Sequence, residues 1–193
     1  MKTAPFPVLL CLAALALVGL SGCSSPPPPR ISYQDPITTI RLYVDERAGA
    51  GHSHPARVTT DQIARVLGGL RVVPRSGFIG SLITGDTQGA PAFTSTEIHL
   101  LAPKVSHALA QATPRELVTF YRRISDPGAG LAITSGGMFV QNTHLFVILA
   151  NNRTLPTDGM NQNMVMDFDP VDSPLVPISR TSFRLEFTPS TAI

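Results

Sequence analysis

Residues 131–149 read LAITSGGMFVQNTHLFVIL, and this stretch decides the fold class. Its two apolar runs, 131–141 and 145–149, are rich in β-branched and aromatic residues and flank the polar pair Asn142-Thr143. Runs of this kind on either side of a short polar turn are typical of antiparallel strands. We expect Gly136-Gly137 to form a bulge or a break within the first run. The stretch therefore predicts an antiparallel meander.

Further strands are predicted on both sides of this meander. Ile37 to Val44 and Leu117 to Ile124 combine near alternation with β-branched and aromatic residues, and Thr181 to Thr188 alternates cleanly. Alternation with a period of two places one face of a strand against the core. Leu70 to Val73 is a candidate for a short strand, whereas the polar stretch from Asn151 to Pro177 is predicted to be an extended loop.

The first predicted helix begins at Thr59. Thr59 and Gln62 have the spacing of a capping box, in which two side chains satisfy backbone N–H groups reciprocally. Val58 and Ile63 flank this start as a hydrophobic staple. Gly68-Gly69 is expected to end the helix, because glycine tolerates the positive φ of a C-terminal cap.

The second predicted helix begins at Thr94 and extends to about Ala112. Thr94 and Glu97 repeat the capping-box spacing. Pro103 removes one backbone donor, so the pattern predicts either a kinked helix or two short ones. At 100° per residue, one apolar stripe lies within roughly 60° of Ile98. It contains Leu101, Ala102, Val105, Leu109 and Ala112.

Together these elements predict an α+β fold. Helices early and strands late favour an antiparallel sheet of about four to six strands, with two or three helices on one face. A length of 193 residues fits one globular domain plus a targeting segment. The formal net charge is only +2, without the clustered Lys and Arg that phosphate binding needs, so nucleic acid is excluded as a partner.

The first 22 residues have the three parts of a secretory signal peptide. Lys2 supplies the positive start, Val8 to Val18 the apolar run, and small residues before Cys23 the exit. A short transmembrane anchor is the alternative. The length of the run disfavours it, because a spanning helix needs about 20 apolar residues.

Leu20-Ser21-Gly22-Cys23, at the end of the apolar run, resembles the lipobox of bacterial lipoproteins. The resemblance covers residues 1–23 only. It implies that residues 1–22 are removed, that Cys23 becomes the mature N-terminus, and that its thiol carries diacylglycerol. Ser24 in place of Asp implies an outer-membrane location facing the periplasm. Cys11 leaves with the leader, so the mature chain retains no pair of thiols for a disulfide.

A tether is predicted to follow the lipidated cysteine. Residues 23–36 include Ser24, Ser25 and the run Pro26 to Pro29, which favours polyproline II at ~3.1 Å per residue. Such a segment holds a domain away from the bilayer. The folded domain is accordingly assigned to residues 37–193.

His52 and His54 are the first candidates for metal ligands. They flank Ser53 in a predicted loop from Ala48 to Pro55. A transition-metal site needs three or four ligands, and spacing identifies no partner for this pair. Solvated loop histidines are therefore the alternative interpretation.

His99 and His107 share the second predicted helix with Glu97. The two histidines lie eight residues apart and about 80° apart around the helix, whereas helical metal ligands are three or four residues apart. Neither is assigned as a ligand. Glu97 is assigned to the capping box.

Oxygen ligands suited to calcium are densest in the predicted loop near the C-terminus. They are Asp158, Asn161, Asn163, Asp167, Asp169 and Asp172. The EF-hand order is absent, and Pro170 and Pro174 favour turn chemistry as the alternative.

The sequence therefore assigns no catalytic, cofactor-binding or metal-ligating residue, and Cys23 is its one assigned modification site. The motifs of serine hydrolases, zinc peptidases and nucleotide-binding loops are absent. We expect a non-enzymatic domain that is anchored to the membrane by its N-terminal lipid and binds an envelope protein. The alternatives are an anchored hydrolase, built where the His52 loop and the Asp-rich loop converge, and a binder of metal or a small ligand.

Overall fold

The computed structural model describes residues 27–49, 51–74, 89–126, 130–155, 171–178 and 183–188. Within these residues the chain forms eight strands and two helices. In chain order they are β1 (Arg30–Gln34), β2 (Thr38–Val44), α1 (Thr60–Gly69), β3 (Leu70–Pro74), β4 (Ala90–Pro91), α2 (Ser95–Gln111), β5 (Glu116–Asp126), β6 (Gly130–Gln141), β7 (His144–Thr154) and β8 (Phe183–Phe187). Neither helix of this part of the chain has the length and apolar character needed to cross a membrane.

Two antiparallel sheets organise the strands. The larger sheet has the order β1-β2-β5-β6-β7 and the smaller one the order β4-β3-β8. Both helices pack on one face of the larger sheet, in a single apolar cluster. The predicted α+β fold is thereby confirmed. The smaller sheet was not predicted, since a strand as short as Ala90–Pro91 carries no periodic signal.

The larger sheet begins earlier than predicted. β1 (Arg30–Gln34) lies within residues 23–36, which the sequence assigned to the tether. It pairs antiparallel with β2, and its register shifts between Ile31 and Tyr33. A strand of five residues after a proline run is too short for its alternation to stand out. The folded domain therefore begins at or before Arg30, and the tether is shorter than predicted.

The core lies between the larger sheet and the helices. Side chains from β2, β5 and β6 meet those of α1 and α2 there. The five apolar residues of the predicted stripe are buried, and Ile98 at its centre is half-buried, which confirms the amphipathic pattern. Pro103 lies inside one continuous helix of 17 residues, so the alternative of two short helices is wrong.

Both capping boxes are present, but the expected glycine cap of α1 is not. Gly68 and Gly69 lie inside the helix, and neither has the positive φ of such a cap. Gly69 is instead required for close packing. A Cβ at this position would lie 2.6 Å from both the Phe187 ring and the Thr188 carbonyl oxygen of the arriving β8 segment.

The β6–β7 hairpin follows the prediction at its turn and departs from it at its end. Gln141 pairs with His144 across the turn, where Asn142 has a φ of 54°. The register shifts on both sides of Ser135, which confirms the expected bulge near the glycine pair. β7 then continues to Thr154, into the stretch predicted as loop, because the polar side chains there find partners inside the fold.

Candidate functional site

His54 is inserted between two strands of the larger sheet. Its Nε2 accepts a hydrogen bond of 3.0 Å from the Val140 N–H, and its Nδ1 lies 2.8 Å from the Glu116 carbonyl oxygen. A backbone N–H can only donate and a carbonyl can only accept, so the ring is neutral and carries its proton on Nδ1. Burial lowers the pKa of His54, which favours the same neutral state.

The position of this ring follows from the register of β5 and β6. Val118 faces Met138, so Glu116 and Val140 would form the next pair of that register. The strands separate at this point, and the imidazole connects the donor of one strand to the acceptor of the other. Ser53 also bonds to β6, since its N–H donates to the Val140 carbonyl oxygen at 2.8 Å.

His52 has a separate set of contacts. Its Nε2 lies 3.0 Å from Oδ2 of Asp45, where a carboxylate accepts the proton of the ring. Its ring packs on Phe139 at 4.4 Å between centroids, and Phe139 stacks on Phe146 at 4.9 Å. His52 is only 8% exposed and His54 only 5%. The interpretation of these residues as solvated loop histidines is therefore wrong.

The described residues do not assemble a metal centre around these histidines. No group of three or more His, Cys, Asp or Glu side chains within this part of the chain is placed to hold a metal ion. Both ring nitrogens of His54 are also engaged with the backbone.

Asp172 is the one member of the Asp-rich set that the structure describes. Its Oδ1 lies 2.7 Å from Nη1 of Arg41 on β2. The other five residues of the set lie outside the described residues: Asp158, Asn161, Asn163, Asp167 and Asp169. Arg41 and Asp45 are four residues apart along the chain, about 13 Å in an extended strand. Asp172 and the His52 loop are therefore attached at different points of the sheet.

Glu97 has the predicted capping role and a second one that the sequence did not reveal. Its Oε2 accepts from the Thr94 N–H at 2.7 Å and from Nη2 of Arg153 at 3.0 Å. Arg122 lies 3.8 Å from the other carboxylate oxygen. Glu97 is only 3% exposed, and the two arginines compensate the charge of its buried carboxylate. His99 is exposed and takes no part in this cluster.

A concave pocket lies between α1 and the β6–β7 hairpin. We name it the arginine-rimmed pocket, and its cavity has a volume of about 460 Å³. Its lining residues come from the loop before α1, α1 itself, the hairpin and β8. They are Arg57, Val58, Gln62, Arg65, Val66, Val140, Thr143, Leu145 and Phe187.

The chemistry of this pocket is divided between floor and rim. Val140 is buried and Val58, Val66 and Leu145 are half-buried, so the floor is apolar. The polar residues at the opening are exposed: Arg57, Gln62, Arg65 and Thr143. An apolar cavity with a few convergent polar groups is the usual form of a small-molecule site.

The two rim arginines have no side-chain partner among the described residues. Among the ion pairs and side-chain hydrogen bonds of the described chain, none involves the guanidinium of Arg57 or Arg65. By contrast, Arg41 and Arg153 are each held by a carboxylate. Sequence reasoning missed this pocket. Its local signal is limited to the pairs Arg57-Val58 before α1 and Arg65-Val66 within it, because the opposite wall comes from the distant hairpin.

Comparison with known proteins gave no match to a family model, to a curated protein or to a solved structure. Cys23 and the leader lie outside the described residues. The chemistry of the lining residues is therefore the basis for inferring what this pocket binds.

Proposed function

We propose that this protein is a bacterial lipoprotein, anchored in the membrane through Cys23, whose domain binds another component of the cell envelope without catalysing a reaction. The anchor part rests on Leu20-Ser21-Gly22-Cys23 and the preceding signal-peptide pattern. Ser24 favours the outer membrane, with the domain in the periplasm.

The anchor would hold the domain firmly and close to the bilayer. Each buried methylene contributes about 0.8 kcal/mol, so several acyl chains anchor far more strongly than one myristoyl chain. Six residues lie between Cys23 and Arg30, where β1 begins, and the seven steps from Cα to Cα span at most roughly 25 Å when fully extended. The folded domain therefore acts within a short distance of the membrane surface.

The arginine-rimmed pocket carries the binding part of the proposal. It offers an apolar floor and two guanidinium groups that have no partner among the described residues, a combination suited to binding. Three buried side chains that are chemically suited to acid–base chemistry have structural partners instead. His54 connects two strands, His52 bonds Asp45, and Glu97 caps α2.

The alternative of an anchored hydrolase gains no support from the described residues. It required the His52 loop and the Asp-rich loop to converge on one pocket. The described part of the latter, Asp172, is bonded to Arg41 instead, and no described residue of either loop lines the pocket.

The anchor is tested by membrane fractionation of Cys23→Ala, with Cys11→Ala as the matched control. We expect Cys23→Ala to leave the membrane fraction or to keep its leader, and Cys11→Ala to behave as the wild type. Equal behaviour of the two variants would rule the anchor out.

The binding role is tested by a photo-crosslinking residue at Gln62, on the pocket rim, in native envelopes. Gln111, an exposed glutamine at the end of α2, is the control site. A discrete crosslinked species from position 62 alone is the expected result. The same species from both positions, or none from either, would contradict a binding role for this pocket.

A further inference from the structure

The floor of the arginine-rimmed pocket leaves an apolar surface uncovered. Phe187, on β8, forms one wall and is 55% exposed. Leu145 and Val66 lie across the cavity from different elements, and both are incompletely buried. A ligand with an extended apolar part would remove these surfaces from water, which is favourable in proportion to the area covered.

The rim carries a positive charge that forms no ion pair with a described residue. Arg57 precedes α1 and Arg65 lies on it, and Gln62 stands between them in the chain. Asp61 comes one turn before Arg65, yet no ion pair joins the two residues within the described chain. The complementary ligand therefore combines an apolar chain with an anionic end.

We infer that the arginine-rimmed pocket binds a long-chain fatty acid, with the acyl chain on the apolar floor and the carboxylate at Arg57 and Arg65. Guanidinium groups present parallel N–H donors that match the two oxygens of a carboxylate. A cavity of about 460 Å³ lies in the range of sites for one small molecule. The volume of the cavity suits a single acyl chain rather than the two chains of a phospholipid.

This inference rests on the proposed function in one respect, because the membrane anchor would bring the domain close to its source of fatty acids. A domain held near the bilayer by a short tether is placed where free fatty acids partition. The chemistry of the pocket itself does not depend on the lipid at Cys23, so the two proposals can fail separately.

The probe is palmitic acid that carries a diazirine on its chain. The full chain is reconstituted in phosphatidylcholine vesicles, the probe is added and activated by light, and the modified residues are identified by mass spectrometry. We expect adducts on the pocket lining, at residues of α1, β7 and β8. A fatty alcohol with the same chain and diazirine tests the contribution of the carboxylate.

The decisive variant is the double substitution Arg57→Gln/Arg65→Gln. Loss of charge-assisted hydrogen bonds is expected to reduce the yield of the fatty-acid adduct at least about tenfold and to leave the fatty-alcohol adduct unchanged. Arg47→Gln/Arg115→Gln is the matched control. It also removes two positive charges, but from exposed residues that do not line the pocket. It should leave the yields of both adducts unchanged.

A second variant tests the floor. Val66→Phe places a ring in the cavity and should abolish both adducts, while the melting temperature shows whether the fold is retained. If that variant unfolds, the double arginine variant and its control still decide the question.

Three results would overturn the inference. They are adducts scattered over the surface, a yield that the rim arginines do not affect, and equal labelling by acid and alcohol. Competition by lysophosphatidic acid but not by unlabelled palmitate would assign the rim to phosphate instead. Pocket adducts in a protein whose Cys23→Ala variant has the same mature size and membrane association as Cys11→Ala would preserve this inference and rule out the anchor. Scattered adducts on a protein with lipid at Cys23 would preserve the anchor and contradict the fatty-acid site.

Discussion

The Nε2 atom of His54 accepts a hydrogen bond from the backbone N–H of Val140, 86 residues away in the chain. Replacement of His54 by Ala leaves that N–H and the Glu116 carbonyl without a partner in a buried position. We expect a loss of about 2–4 kcal/mol in the free energy of unfolding, measured by urea denaturation. His107→Ala, at an exposed position of α2, should change it by no more than about 0.5 kcal/mol. Equal losses in the two variants would show that the ring is not a structural bridge.

The same ring predicts a loss of stability in mild acid. The pKa of His54 is lowered from its ordinary value of 6.5, chiefly by burial, so the unfolded chain binds a proton more readily than the folded protein. The stabilising contribution is therefore complete above about pH 6.5 and declines as the pH falls below that value. Urea midpoints between pH 7.5 and 5 should decrease in the wild type and less steeply in His54→Ala. Identical slopes would contradict the assignment.

A second loss of stability is expected at lower pH, where the ion pair between Arg30 and Glu116 is broken. The hydrogen bond from Arg30 is the main cause that lowers the pKa of Glu116 from 4.5 to about 2. The pair therefore stabilises the fold above pH 4.5, and this contribution is lost as the pH falls toward 2. Arg30→Gln should flatten the pH dependence in this window. Arg184→Gln, which breaks an exposed pair with Glu186, should leave it unchanged.

Two glycines are expected to respond in opposite directions to alanine. At Gly136 a Cβ would collide with the Ile148 carbonyl oxygen and lie 2.8 Å from the Phe120 ring, so Gly136→Ala should destabilise the protein. At Gly68 the nearest atom is the Ile98 Cδ1 at 3.7 Å, and the backbone is helical. Gly68→Ala should raise the free energy of unfolding by about 0.4–1 kcal/mol. Melting temperatures that shift in the same direction would refute the packing described around the bulge.

The sequence predicted those features whose determinants lie close together in the chain. Thr59 with Gln62 and Thr94 with Glu97 each form a capping box within four residues, and both boxes are present. The turn at Asn142-Thr143 likewise depends on neighbouring residues.

Features built from distant residues were not predictable in this way. The second role of Glu97 depends on Arg153, 56 residues later and on a bulged strand. The arginine-rimmed pocket needs the hairpin to pack beside α1, and β1 was hidden by its short length. His52 and His54 were interpreted as solvated, because a loop sequence does not show that the loop packs into a gap between two strands.

The most direct measurement is the mass of the mature protein and of its N-terminal peptide, purified from bacterial membranes. We expect that residues 1–22 are absent and that the chain begins at Cys23 with the added mass of diacylglycerol and an acyl group. An N-terminus at Met1, or an unmodified Cys23, would contradict it.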